Sequence, residues 1–166
     1  MVADEASPRL SRVTFPVWEQ IRARTSLCEG AFAWASYPVN LAPAGEVDSA
    51  QAVWASGDTF RTLRVDAARG RLFDQRDDVR GGGPDGLVAV ISHALWLRRF
   101  AGAADAIGRT ITVERVPFTI IGVAPRSLPG LAIGGTTMWC CRRRRNRSCV
   151  PISAWSTQAA SRSCVS

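Results

Sequence analysis

Lysine is absent from this 166-residue chain, and all 21 of its basic residues are arginine, a bias read here as the codon usage of a GC-rich gene. No run approaches the roughly 20 consecutive apolar residues that a membrane helix needs, so no span is expected. The opening Met1-Val-Ala-Asp-Glu-Ala-Ser-Pro8 is acidic and lacks an apolar core, so no signal peptide is expected either. Histidine occurs once, at His93, and residues 1–139 contain a single cysteine, Cys28. One body cysteine excludes a disulfide framework for the core and leaves the redox compartment open.

What is present fits one globular domain. The hydrophobic fraction is 46% and the charged fraction 21%, enough apolar surface for a real core and too much for a disordered chain. The formal charge of +7 is unevenly placed. Residues 1–139 hold 15 arginines against all 14 carboxylates, whereas residues 140–166 hold six arginines, four cysteines and no acid. The chain therefore divides into a polar lead-in (1–13), a nearly neutral core domain (14–139) and an Arg/Cys/Ser-rich tail (140–166), expected to be disordered.

The hydrophobic pattern predicts an α+β fold: a mixed sheet with short helices, in two small lobes meeting around Gly57–Phe73 and incomplete at its C-terminal end. Thr14 caps a helix to about Thr25. Residues 31–41 alternate as a strand, Pro43-Ala-Gly45 turns, and Ser49–Ser56 returns as its partner. Asp58 caps a short helix through Phe60 and Leu63. Val65–Phe73 is extended, and Asp74–Gly86 is a surface loop. Leu87–Ile91 is a continuous apolar run, the mark of a strand covered on both faces. Ser92 caps a helix that Gly102 ends. Thr110–Glu114 and Pro117–Val123 form a tight hairpin in which Ile111 and Val113 face Phe118 and Ile120.

Candidate chemical sites fail on context. Gly81-Gly-Gly-Pro-Asp-Gly86 precedes a strand and lacks the Lys-Ser/Thr of a phosphate loop. His93 has no nucleophile elbow to serve. Asp74, Asp77 and Asp78 lack the alternation and closing Glu of a calcium loop. Cys140, Cys141, Cys149 and Cys164 do not form the close pairs that span a zinc tetrahedron. No catalytic, cofactor or metal residue is expected. Arg142–Arg145 with Arg147 offers non-specific, salt-sensitive affinity for nucleic acid or anionic lipid and no specific nucleic-acid recognition.

The tail has a second reading. Displaced by two nucleotides, the codons of Met138-Trp-Cys-Cys141 must encode Val-Val-Leu, preceded by Asp, Asn, His or Tyr. One allowed codon choice continues P-P-P-P-E-P-I-V-R-P-D-I-G-L-V-D-A-G-R, a string with balanced charge. Residues from about 139 onward are thus expected to be a frameshift product.

Three ordered blocks carry a family resemblance. Trp54-Ala-Ser-Gly-Asp-Thr-Phe60, Leu63-Arg-Val65 and Gly70-Arg-Leu-Phe73 form the first. Val88-Ala-Val-Ile-Ser-His-Ala-Leu-Trp96 with Arg98-Arg-Phe100 forms the second, and Ile107–Val113 with Pro117–Pro125 the third. Together they resemble MacB-like periplasmic core domains of the MacB/FtsX-like permeases, over roughly residues 10–139. The resemblance implies a non-catalytic extracytoplasmic domain of an ABC-transporter permease, acting in export or mechanotransmission at the periplasmic face of the inner membrane. It implies membrane helices, a separate ABC ATPase, envelope partners and a dimeric permease context, and no cofactor. Gly57, Phe60, Gly70, Phe73, Trp96, Phe100, Gly108, Pro117 and Gly122 are then structural. With no membrane segments flanking it, the chain is expected to be a truncated fragment. The rival expectation is a free-standing α+β binding module whose arginine tail docks on nucleic acid or an anionic membrane.

Overall fold

The computed structural model describes residues 31–42, 47–79, 82–128 and 137–141, together with Gln20, Ala23 and the backbone of two strands, Ser11–Val13 (β1) and Trp155–Ala159 (β9). The helix expected over 14–25 lies outside the described residues apart from Gln20 and Ala23, which are helical, and the turn at 43–45 lies outside them too.

The alternating segment forms β2 (Ala31–Asn40), and Ser49–Ala55 (β3) pairs with it antiparallel, from Trp34↔Ala55 to Asn40↔Ser49. Helix α1 (Thr59–Leu63) follows, but Asp58 does not cap it through its side chain. Asp58 has helical backbone angles (φ −82°, ψ −3°) in place of the extended ones a cap requires. Its carboxylate instead accepts from Arg61 Nη2 at 2.9 Å and Gln75 Nε2 at 2.7 Å.

Arg69–Gly70 (β4) is a two-residue strand, and Val88–Ile91 (β5) is buried at all four positions. Helix α2 (His93–Phe100) begins where Ser92 Oγ accepts from Leu95 N at 3.1 Å, and ends on Ala101 and Gly102, both with positive φ. Thr110–Val113 (β6) and Val116–Val123 (β7) make the expected hairpin, with Ile111 opposite Phe118. The strand Thr137–Cys141 (β8) is buried throughout.

These strands form one mixed sheet in the order β1-β9-β2-β3-β8-β5-β7-β4, with β6 also on β7. β8 lies at its centre, parallel to β3 and antiparallel to β5. Alternation sends Ala52, Trp54, Ala89, Ile91, Met138 and Cys140 into the hydrophobic cluster on one face. Val53, Ala55, Val88, Val90, Trp139 and Cys141 enter the cluster on the other. The sheet is continuous across both halves of the described chain, and Phe60 and Phe73, at either side of the expected lobe junction, fill this second cluster.

Two compositional boundaries fall inside strands. Ser11–Val13, read as the end of a lead-in, pairs with β9. Cys140 and Cys141, read as the start of a disordered tail, are the last residues of β8 and are 0% and 4% exposed. Both strands find their partners far away in sequence, where local composition carries no information.

Candidate functional site

The residues singled out in the sequence gather at three places. At the first, Gly57 turns the chain from β3 into α1 against the 74–75 backbone. A Cβ on Gly57 would lie 2.7 Å from the Asp74 carbonyl oxygen, and its N–H donates to Asp78 Oδ2 at 3.1 Å. Beneath the turn, the Phe60 and Phe73 rings meet at a tilt of 59° with centroids 4.7 Å apart, and Phe60 meets Trp139 edge-on at 6.3 Å.

The acid-rich loop that follows is pinned, which the sequence does not reveal. The Asp77 side chain is 1% exposed and accepts from Arg71 through both oxygens, at 2.7 and 2.9 Å. Asp77 Oδ2 also takes the Asp74 N–H at 3.0 Å, and Arg71 Nη2 reaches Asp85 at 2.6 Å. Asp77 hydrogen bonding, followed by Asp85, raises the Arg71 guanidinium further above its already basic value. A hydrogen bond from Arg76 holds the Asp74 carboxyl below its ordinary range. Asp74, Asp77 and Asp78 therefore tie the loop down. In the string Asp74-Gln-Arg-Asp-Asp78 nothing local distinguishes the buried Asp77 from the half-buried Asp74 and Asp78.

The second place is the crossing of β4 over β7, where Gly70 pairs with Gly122. The β5–β7 register slips between Ala89 and Val90, leaving Ile121 as a bulge beside that crossing.

The third lies around α2. Trp96 Nε1 donates to the Ala103 carbonyl at 2.8 Å, and Phe100 packs beside it against the first cluster. The Arg69 guanidinium sits 5.4 Å above the Trp96 ring. His93 meets Trp96 edge-on at 5.2 Å, and its Nε2 accepts from Arg126 Nε at 3.3 Å. Gly108 donates its N–H to the Ile120 carbonyl at 2.7 Å, and the exposed Pro117 stands opposite Thr112 in the hairpin.

Gly82, Gly83 and Gly86 belong to a tight turn closed by a Gly83–Gly86 bridge, ahead of β5 and away from any helix start. Cys28, Cys149, Cys164 and the Arg142–Arg147 run lie outside the described residues. Among the described residues no three His, Cys, Asp or Glu side chains are grouped to hold a metal ion, and no helix is long and apolar enough to cross a membrane. The assembled features fix backbone close to backbone and loop onto sheet.

Known proteins share this fold. Residues 2–161 match the family model for the MacB-like periplasmic core domain. The macrolide export ATP-binding/permease protein MacB of Nitrobacter winogradskyi is 33% identical over 93 residues, covering 55% of this chain and 14% of that protein's length. Among solved structures, the extracellular domain of the noncanonic ABC-type transporter YknZ from Gram-positive bacteria superposes with a TM-score of 0.64 at 13% identity, covering 92% of this chain and 75% of that one. The periplasmic region of MacB from Actinobacillus actinomycetemcomitans gives 0.63 at 16% identity, covering 94% and 69%. The chain belongs to the MacB-like periplasmic core domain family, the periplasmic domains of ABC-type transporter permeases.

Proposed function

We propose that this chain is the non-catalytic extracytoplasmic core of an ABC-transporter permease. It stands between membrane helices at the periplasmic face of the inner membrane, and ATP hydrolysis in a separate domain moves it to drive export or transmit force. The match to the family over residues 2–161 carries this reading. The shape of the site supports it: a sheet covered on both faces and a loop clamped by buried charge make a body that can move as a unit. Gly57, Gly70, Gly108 and Gly122 shape its backbone, Phe60, Phe73, Trp96 and Phe100 fill it, and Pro117 marks the hairpin edge. Its partners on this reading are the permease helices, an ABC ATPase, a second permease copy and envelope proteins.

A chimera tests this. In the Nitrobacter MacB relative, the segment matching this chain is replaced by residues 2–161, beside a control in which that segment is deleted. Macrolide resistance above the deletion control, with ATP hydrolysis retained, is the expected result. Resistance equal to the control's, with the chimera present in the membrane at normal level, overturns the proposal. The binding-module alternative instead requires salt-sensitive binding of the chain to nucleic acid or anionic vesicles that disappears when residues 142–166 are removed.

A further inference from the structure

We infer that the chain from about residue 139 onward is translated in a displaced frame, and that the last three positions of β8 are built for Val-Val-Leu. Methionine and tryptophan have one codon each and cysteine two, so Met138-Trp-Cys-Cys141 fixes nearly every nucleotide beneath it. Two nucleotides on, those bases spell Val-Val-Leu whichever cysteine codons are used.

The fold places this stretch where such residues belong. β8 is hydrogen-bonded on both edges, parallel to β3 and antiparallel to β5, and all five of its residues are buried. A strand covered on both faces takes aliphatic, β-branched side chains. Its neighbour β5 does so, reading Val-Ala-Val-Ile, whereas β3 on the other edge reads Ser-Ala-Gln-Ala-Val-Trp-Ala. Trp139 departs from that pattern, since its Nε1–H is buried with no hydrogen-bond partner, a donor that valine would not bring. Replacing one indole and two thiols by two isopropyl groups and one isobutyl group leaves the summed side-chain volume nearly unchanged, the kind of exchange a core tolerates best. The composition changes at the same point: 14 carboxylates precede residue 140 and none follows it.

Two measurements decide. Resequencing the locus from independent isolates should find the displaced frame open from codon 138 past codon 166. A stop codon in that frame within this interval overturns the inference. In the full chain, the triple substitution W139V/C140V/C141L should raise the thermal midpoint by at least roughly 2–4 °C. A triple variant that folds with a midpoint at or below the parent's overturns it equally. The DNA result stands even if the triple variant does not fold.

Discussion

Gly70 and Gly122 stand opposite each other where β4 crosses β7, and neither position has room for a methyl group. A Cβ on Gly70 would fall 2.3 Å from the Ile121 carbonyl oxygen, and one on Gly122 would fall 2.1 Å from that of Arg71. Gly70 also has a φ of +67°, in the left-handed region. Gly70→Ala and Gly122→Ala should each cost about 2–4 kcal/mol, since backbone must separate from backbone. Gly108 has a φ of +88° and open space around it, so Gly108→Ala should cost only about 1 kcal/mol. Urea unfolding of the three variants gives the ranking, and equal costs would refute it.

Asp77 and Asp85 share Arg71 but differ in setting, with side chains 1% and 52% exposed. Asp77→Ala leaves the guanidinium without its bidentate partner and the Asp74 N–H without an acceptor. The guanidinium can turn to water, so the expected loss is about 3 kcal/mol, the low end for a broken buried pair. Asp85→Ala should cost no more than about 0.5–1 kcal/mol, as surface pairs do. Denaturant midpoints for the two variants separate them.

Acid should weaken the same loop. Asp74 has its carboxyl held below the ordinary value of 3.8 by Arg76. Between the unfolded value and the lower folded one, the unfolded chain binds more protons. The stabilisation is therefore present above about pH 4 and lost as pH falls through the folded value. Arg76→Ala should flatten that part of the stability–pH profile and leave the profile above it parallel. Stability measured by denaturant from pH 2 to 6 reads both curves.

The β6–β7 hairpin turns through Glu114 and Arg115, with φ of 47° and 67°. Two successive left-handed residues make a turn that Asn-Gly adopts with less strain. Arg115→Gly should stabilise by about 0.5–1 kcal/mol. Glu114 is a poorer place to change, because its Oε1 takes the Asn40 N–H at 2.8 Å. Thermal midpoints of Arg115→Gly and Glu114→Gly should move in opposite directions.

Ser92 has two tasks. Its Oγ accepts from Leu95 N at 3.1 Å, capping α2, and from Thr137 N at 3.2 Å, at the start of β8. Ser92→Ala should cost about 1–2 kcal/mol. Hydrogen exchange should quicken both in the first turn of α2 and at Thr137. Faster exchange confined to the helix would show that the second bond is idle.

Short-range chemistry was readable in advance. The Ser92 cap, the β6–β7 hairpin and the apolar run of β5 each depend on neighbours a few residues away, and each stands where the pattern put it. The Asp58 cap failed because Arg61 and Gln75 compete for the same carboxylate. What could not be read is long-range. Nothing near Asp77 announces Arg71, and nothing near Cys140 announces that β3 and β5 will close on either side of it. The three family blocks were legible because they preserve spacing as well as residue type.

The position of β8 governs the order of assembly. In the hydrogen-bond ladder of the described strands it alone joins the β2–β3 half of the sheet to the β5–β7 half, yet it comes after both in the chain. Each half can pair within itself as it leaves the ribosome, but the two halves can be zipped together only once residues 137–141 arrive. Until then β3 and β5 present open edges to any other nascent chain, so the molecule's exposure to misassembly is set by how fast its last-made central strand finds its place.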